Sequence, residues 1–218
     1  MQFSDELARV LPVEIPHRER LIEKSALHLE RVAKANELMN LTRIATPAEA
    51  AIKHVADSVL PWHLFRDARR VLDAGTGAGF PGIPLALVLP NVDFVLAESI
   101  QKKARFVEST SDFLELGNVR VFARRAEELV TEYCPDIVTA RAIAPLSRIA
   151  DLFARALSQG SRLLLYKGPD IHAELSELNG KRISAEVVCR YDLPDGLGTR
   201  TMISVSAAPH RRVRASPR

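Results

Sequence analysis

The segment from Val71 to Pro84, VLDAGTGAGFPGIP, confines this chain to a narrow set of folds. An apolar run ending in an acid, Asp73, passes into Gly75, Gly77 and Gly79 and then into the helix-forming stretch GIPLALVL. A strand, a glycine turn and a helix in that order bring backbone amides close to a ligand, which points to a nucleotide-like cofactor. The glycines fit two patterns. Gly75, Gly77 and Gly79 form G-x-G-x-G beyond Asp73, while Gly77, Gly79 and Gly82 also match the dinucleotide fingerprint G-x-G-x-x-G. Charge separates the two readings. A pyrophosphate is stabilised at a helix N-terminus, and a carboxylate at Asp73 would repel it. S-adenosylmethionine carries a sulfonium and an ammonium group and no phosphate, so the same carboxylate attracts it. The segment alone still admits a nicotinamide cofactor or a purely structural turn.

Composition sets the frame around this segment. At 218 residues, 47% hydrophobic and 26% charged, the chain has the profile of one globular domain with a subdomain. No apolar run approaches the ~18 residues of a membrane helix. The start, MQFSDELARV, lacks the basic and apolar regions of a signal peptide. A cytoplasmic protein with no membrane association and a monomeric state is expected. The cysteines, Cys134 and Cys189, stand far apart with no second ligand near either. They form neither a disulfide framework nor a metal site, and both read as small buried hydrophobes. Residues 209–218, PHRRVRASPR, hold four arginines and no acid, so the +3 net charge sits in this tail and the rest is nearly neutral. The tail is expected to be disordered when free, either holding phosphates or simply solvated.

Periodicity divides the chain into a helical extension over 1–66, a larger α/β domain over 67–208 and the basic tail. From His17 to Glu37, Leu21, Ile22, Leu29, Val32 and Ala33 fall on one helical stripe. Thr46-Pro47-Ala48-Glu49 supplies an N-cap, a first-turn proline and the acid of a capping box, predicting a helix from Pro47 to about Val59. These helices are expected to cap one edge of the sheet. Strands are predicted at 70–74, 92–97, 119–123, 136–140 and 162–167. Helices are predicted at 82–89, 101–116, 126–133, 145–158 and 170–179. Such alternation gives a parallel sheet covered on both faces. Two last runs, 183–191 and 200–208, joined by LPDGLGTR, predict a hairpin and an antiparallel edge strand in a mostly parallel seven-stranded sheet.

In open α/β sheets, ligands bind beyond the carboxyl ends of the strands. After the first strand come Asp73 and the glycine loop; after the second comes Glu98, placed to bond ribose hydroxyls or to cap a helix. After the third, Arg124-Arg125-Ala126-Glu127-Glu128 either borders an adenine ring or places acids in a first helical turn. After the fourth comes Thr139-Ala140-Arg141-Ala142, with neither the Asn/Asp-Pro-Pro turn of amino-group methylation nor a cysteine nucleophile. The guanidinium of Arg141 offers a fork of donors suited to guanine or phosphate, or a surface ion pair.

These residues sit among blocks that resemble the bacterial small-subunit ribosomal RNA methyltransferase G family, also called glucose-inhibited division protein B. The blocks are Asn40-Leu41-Thr42, His54-Val55-Ala56-Asp57-Ser58, LDAGTGAGFPGIPLAL at 72–87, Glu98-Ser99 and Lys102-Lys103-Ala104-Arg105-Phe106. They continue with Asn118-Val119, Arg125-Ala126-Glu127-Glu128, Arg141-Ala142, Lys167-Gly168 and Arg200. The resemblance spans about 36–207 and implies a class I, Rossmann-like enzyme that uses S-adenosylmethionine to methylate N7 of a guanine in the 530 loop of 16S rRNA, free or within an assembling 30S subunit. It implies cofactor contacts at Gly75, Phe80, Ala126, Glu127 and Arg141, joined on the reading above by Asp73, Gly77, Gly79 and Glu98. Arg141 is expected to orient the base or the cofactor, and Arg125, Lys167 and Arg200 to meet the RNA backbone. Glu98 and Ala126 stand where the family often has Asp and Val. His54 and Asp57 either line the site or bond each other across a helical turn. A non-catalytic RNA-binding protein and a nicotinamide-dependent oxidoreductase are the competing readings.

Overall fold

The structure, a computed structural model, describes residues 2–44, 46–141, 144–178 and 180–208. Ala142 and the arginine tail at 209–218 lie outside the described residues. The extension comprises α1 (Gln2–Val10), α2 (Arg18–Met39), α3 (Pro47–Ala50), a π-helical segment (Ala51–Ala56) and α4 (Asp57–Val59). The larger domain then runs β1 (Arg70–Ala74), α5 (Gly82–Val88), β2 (Asp93–Ala97), α6 (Gln101–Phe113), β3 (Val119–Phe122), α7 (Ala126–Tyr133) and β4 (Ile137–Arg141). It closes with α8 (Leu146–Leu152), α9 (Ala154–Ser158), β5 (Arg162–Lys167), α10 (His172–Ser176), β6 (Ile183–Asp192) and β7 (Thr199–Ala207).

The strands form one seven-stranded sheet in the order β3-β2-β1-β4-β5-β7-β6. Strands β1 to β5 are parallel, whereas β7 runs against β5 and pairs antiparallel with the edge strand β6. Chain order reverses between β1 and β4, the position at which doubly wound sheets open a crevice.

Strand alternation sorts the core into two layers. Val71, Phe94, Leu96, Ile137, Leu164, Tyr166 and Met202 belong to the layer shared with α5 and the N-terminal helices. Leu72, Ala74, Val95, Val138, Ala140 and Leu165 belong to the opposite layer, with Leu129, Ile149 and Phe153 of the helical side. Both faces are thus buried, as a central parallel sheet requires. The N-terminal helices accordingly lie across one face rather than along an edge: α2 packs on α5 and α6, and α4 packs on α5.

Local deviations from periodicity have local causes. The predicted helix over 145–158 divides at Phe153, whose backbone leaves helical geometry (φ −103°, ψ 20°) while its ring stays buried. The helix expected to reach residue 116 ends at Phe113, ahead of a left-handed Glu115 (φ 56°). Cys134 is not buried: it is the left-handed C-cap of α7 and exposed, because the chain must turn outward there before β4.

Gly82 opens α5 directly over the strand ends. A Cβ placed there would lie 2.2 Å from Leu96 Cδ2 and 2.8 Å from Asp73 Oδ2. Gly82→Ala is therefore expected to lower unfolding free energy by ~1–3 kcal/mol, as overpacked core sites do. Gly168→Ala, whose Cβ meets nothing within 4 Å, should leave the urea midpoint nearly unchanged.

Candidate functional site

Two concavities open on either side of the β4 terminus. The first, with a cavity volume of about 260 Å³, is floored by Ala74, Gly75, Ala97 and Ala140 and walled by Ala126, Glu127, Arg148 and Phe153. The second, about 370 Å³, is lined by Lys53, His54, Asp57, Arg141, Tyr166, Lys167 and Arg200. Ala140 and Arg141 are consecutive in β4, so the pleat sends one side chain to each concavity.

The glycine loop borders the first cleft. Gly75 lies on its floor with φ 66°, a left-handed value that brings its backbone forward without a side chain in the way. Gly77 and Gly79 also have positive φ, but neither lines the cleft. Adding a Cβ to Gly79 would strike Ile83 Cδ1 at 2.6 Å, so its constraint comes from packing. Asp73 is fully buried, and its Oδ2 accepts a hydrogen bond from the Gly82 amide at 2.9 Å. Burial raises its carboxyl to about 6 despite that bond. Asp73 therefore ties β1 to the start of α5 and lies outside the cleft lining. Glu98 is 7% exposed and accepts from the amides of Gly77 (3.2 Å) and Ile100 (2.8 Å), fixing the loop to the end of β2.

Phe80 turns away from the cleft. Its ring stacks between His28 of α2 and His54 of the π segment, with centroids 4.5 Å from each. The Arg141 Cζ lies 5.7 Å from the same ring. His28 Nε2 bonds the Ala78 carbonyl oxygen at 2.7 Å, and His54 Nε2 meets Thr42 Oγ1 at 3.0 Å. Burial lowers the two imidazoles to about 4 and about 3 respectively, His54 being depressed further by the Arg141 charge. The glycine loop is thereby clamped to the N-terminal helices.

His54 and Asp57 do not bond each other. The chain over Ala51–Ala56 is π-helical rather than a regular continuation of α3, so the Asp57 amide bonds the Ile52 carbonyl five residues back. The Lys53 carbonyl instead accepts from Arg141 Nη1 at 2.8 Å. Asp57, 3% exposed, pairs with Arg141 (3.3 Å) and Arg200 (3.2 Å) and accepts from the Tyr191 hydroxyl at 3.2 Å. Arg141 thus faces the second pocket and not the first cleft.

The cations expected to meet RNA are divided between the two concavities. Arg125, the N-cap residue of α7, borders the first cleft. Lys167 and Arg200 line the second, and both are already engaged: Lys167 Nζ lies 2.7 Å from Glu174, and Arg200 pairs with Asp57. Nothing in the local pattern announced Tyr191 as a site residue, since its partner Asp57 is distant in sequence, whereas Thr42 stands in the Asn40-Leu41-Thr42 block and bonds His54 twelve residues on. His28 was hidden in an otherwise ordinary amphipathic stripe.

A family model for the rRNA small subunit methyltransferase G proteins (GidB) matches residues 21–194. The ribosomal RNA small subunit methyltransferase G of Solibacter usitatus is 54% identical over 209 residues, covering 94% of this chain and all of the relative. The protein of the same name from Symbiobacterium thermophilum is 34% identical, covering 90% of this chain and 84% of its own. Among solved structures, the O-methyltransferase TomG from Streptomyces achromogenes, in complex with SAM, superposes with a TM-score of 0.56 at 19% identity. That match covers 83% of this chain and 89% of TomG, and shows a shared fold.

The two buried histidines make stability pH-dependent. Unfolded, each binds a proton below its ordinary value of 6.5; folded, they resist protonation until about 4 and about 3. Stability is therefore full above 6.5 and falls as pH drops below it. Asp73 acts oppositely over 3.8 to 6, because its folded form holds the proton more tightly. Two histidines outweigh one aspartate, so urea unfolding should show lower stability at pH 5 than at pH 7. His54→Gln should flatten that difference; an unchanged slope would remove His54 from the account.

Proposed function

The chain belongs to the rRNA small subunit methyltransferase G family, and from that premise we propose that it methylates N7 of a guanine in the 530 loop of 16S rRNA, free or within an assembling 30S subunit. The methyl donor is S-adenosylmethionine. On this proposal the protein works as a cytoplasmic monomer; no helix among the described residues is long and apolar enough to cross a membrane.

The observation that carries the reading is the division at β4. Small side chains, including Ala74, Ala97 and Ala140, leave room on one side, and Arg141 occupies the other. The first cleft fits the donor on its own residues. Its floor is apolar, Gly75 presents bare backbone, and the Glu127 carboxylate, on walls that also carry Arg124, Arg125 and Arg148, suits the amino group of an adenine ring. Gly75, Ala126 and Glu127 would contact the donor directly. Asp73, Gly77, Gly79, Glu98 and Phe80 would shape the loop that holds it, with Glu98 retaining lone pairs for ribose hydroxyls. Bound S-adenosylmethionine supplies an electrophilic methyl group.

The second pocket suits the acceptor. Guanine N7 has an in-plane lone pair and no proton, so no general base or nucleophile is required of the protein. The lining agrees: it offers no cysteine, and its histidine is held neutral by burial. The chain's work is orientation, which can contribute ~7–11 kcal/mol to such reactions. With Nη1 of Arg141 fixed by the Lys53 carbonyl and Asp57, its other donors suit O6 of guanine, leaving N7 free to attack. Arg200 and Lys167 frame the pocket, and Arg125 flanks the donor side.

Incubation with tritiated S-adenosylmethionine and 16S rRNA or 30S subunits from cells lacking the modification should place label in N7-methylguanine. Unlabelled RNA of both kinds would sink the proposal. Arg141→Ala should fold normally and lose roughly 10²-fold or more in methyl transfer, the scale of a misplaced reacting group. Asp57→Asn, which leaves two guanidiniums without their carboxylate, should lose activity comparably, read as turnover at saturating donor.

A further inference from the structure

We infer that the groove between α2 and α6 docks the RNA strand next to the target guanine. The inference rests on the methyl-transfer reading above and extends it to a surface outside both concavities. The groove, about 400 Å³ in volume, is lined by Arg31, Lys34, Leu38, Met39, Lys102 and Phe106. On α2, residues 31, 34, 35 and 38 recur at helical spacing; on α6, residues 102, 106, 109 and 113 do the same, so each helix presents one continuous stripe.

Charge distinguishes this groove from the second pocket; in the first cleft Arg125 and Arg148, like the cations of the groove, form no ion pair among the described residues. In the second pocket Arg141, Arg200 and Lys167 are paired with Asp57 or Glu174, and beside the first cleft Arg124 is paired with Glu128 and Glu132. Their positive charge is largely spent internally. In the groove, Arg31 bonds only the hydroxyls of Ser109 and Thr110, and Lys102 only the Leu38 carbonyl oxygen. Among the described residues, neither these two nor Lys34 forms an ion pair with a carboxylate. Three uncompensated cations along one groove complement a phosphate chain.

The apolar side chains in and beside the groove are exposed beyond what a folded monomer needs. Leu38 is 81% exposed and Phe113 and Ile100 are each 52% exposed. The Arg31 guanidinium covers the Phe113 ring at 4.8 Å, a flat platform of the kind on which unpaired bases stack. Basic and apolar groups alternating along a cleft suit single-stranded nucleic acid better than a protein helix, which would leave the cations unmet.

The groove also leads to the right place. The C-terminus of α2 passes into Asn40-Leu41-Thr42, where Thr42 bonds His54 and Ile44 lines the second pocket. The start of α6 follows Glu98, which holds the glycine loop. A strand lying in the groove therefore reaches the acceptor pocket at its inner end.

The full-length protein and its Lys34→Gln/Lys102→Gln double variant test this with 16S rRNA or 30S subunits, measuring direct RNA binding and turnover separately. The variant should raise KM for RNA roughly tenfold and reduce the slope of log affinity against log salt by about 1.4, at ~0.7 per phosphate contact on single strands. The kcat and S-adenosylmethionine affinity should stay within about twofold. Unchanged KM and salt slope in an active enzyme would overturn the groove alone. Groove-dependent RNA binding by a wild-type protein that transfers no methyl would support the groove and overturn the reaction. A photo-crosslinker at Leu38 (Leu38→p-benzoylphenylalanine) should label RNA beside the modified guanine; adducts confined to a ribosomal protein would refute RNA as the occupant.

Discussion

The buried carboxylate of Asp57 organises the second pocket of this protein. A charge almost removed from water is tolerated only when it is paired and hydrogen-bonded, and Asp57 meets that demand by collecting partners from three strands. Arg141 arrives from β4, Tyr191 from β6 and Arg200 from β7. The carboxylate thus joins the N-terminal extension to the far half of the sheet. The π-helical turn belongs to the same arrangement. It moves the Asp57 amide onto Ile52 and leaves the Lys53 carbonyl for Arg141, giving that guanidinium two anchors on one nitrogen. A π-turn within an α-helix often marks a functional position, and here the reason can be named.

The extension is consequently part of the site rather than an addition to it. His28 and His54 hold Phe80 between them, and Phe80 belongs to the glycine loop. The loop shape beside the first cleft is therefore set from two directions, by Asp73 and Glu98 from the strand ends and by the histidine stack from the helices. The same buried imidazoles that lock the loop also make it sensitive to acid, since protonation would place unpaired charge in a desolvated stack.

Positive charge in the second pocket and in the α2–α6 groove is of two kinds. Arginines and lysines facing the second pocket are held by carboxylates, which fixes their geometry while muting their attraction for a polyanion. Those of the α2–α6 groove have no such partners and retain it. In nucleic-acid recognition, backbone contacts supply affinity and register while a few oriented groups supply selectivity, and the two sets of cations suit those two tasks.

The sequence alone determined the alternating order of strands and helices, the parallel sheet and the place of the glycine loop, because these depend on local periodicity and turn chemistry. Its glycines and Asp73 left two cofactor classes open, the residues after the second, third and fourth strands favoured S-adenosylmethionine, and the ordered blocks from Asn40 to Arg200 carried the family resemblance. What it could not decide was which way each site residue faces. Asp73, Glu98 and Phe80 read as ligand contacts by position, and the fold gives each a bracing contact within the loop that no local pattern showed. His54 and Asp57 read as neighbours on one helix, but a π-turn and two distant arginines separate them. The cover given by the N-terminal helices, an edge by expectation and a face shared with α5 and α6 in the structure, follows the same logic. Periodicity shows that a stripe must be buried; only the packing of the entire chain decides against what.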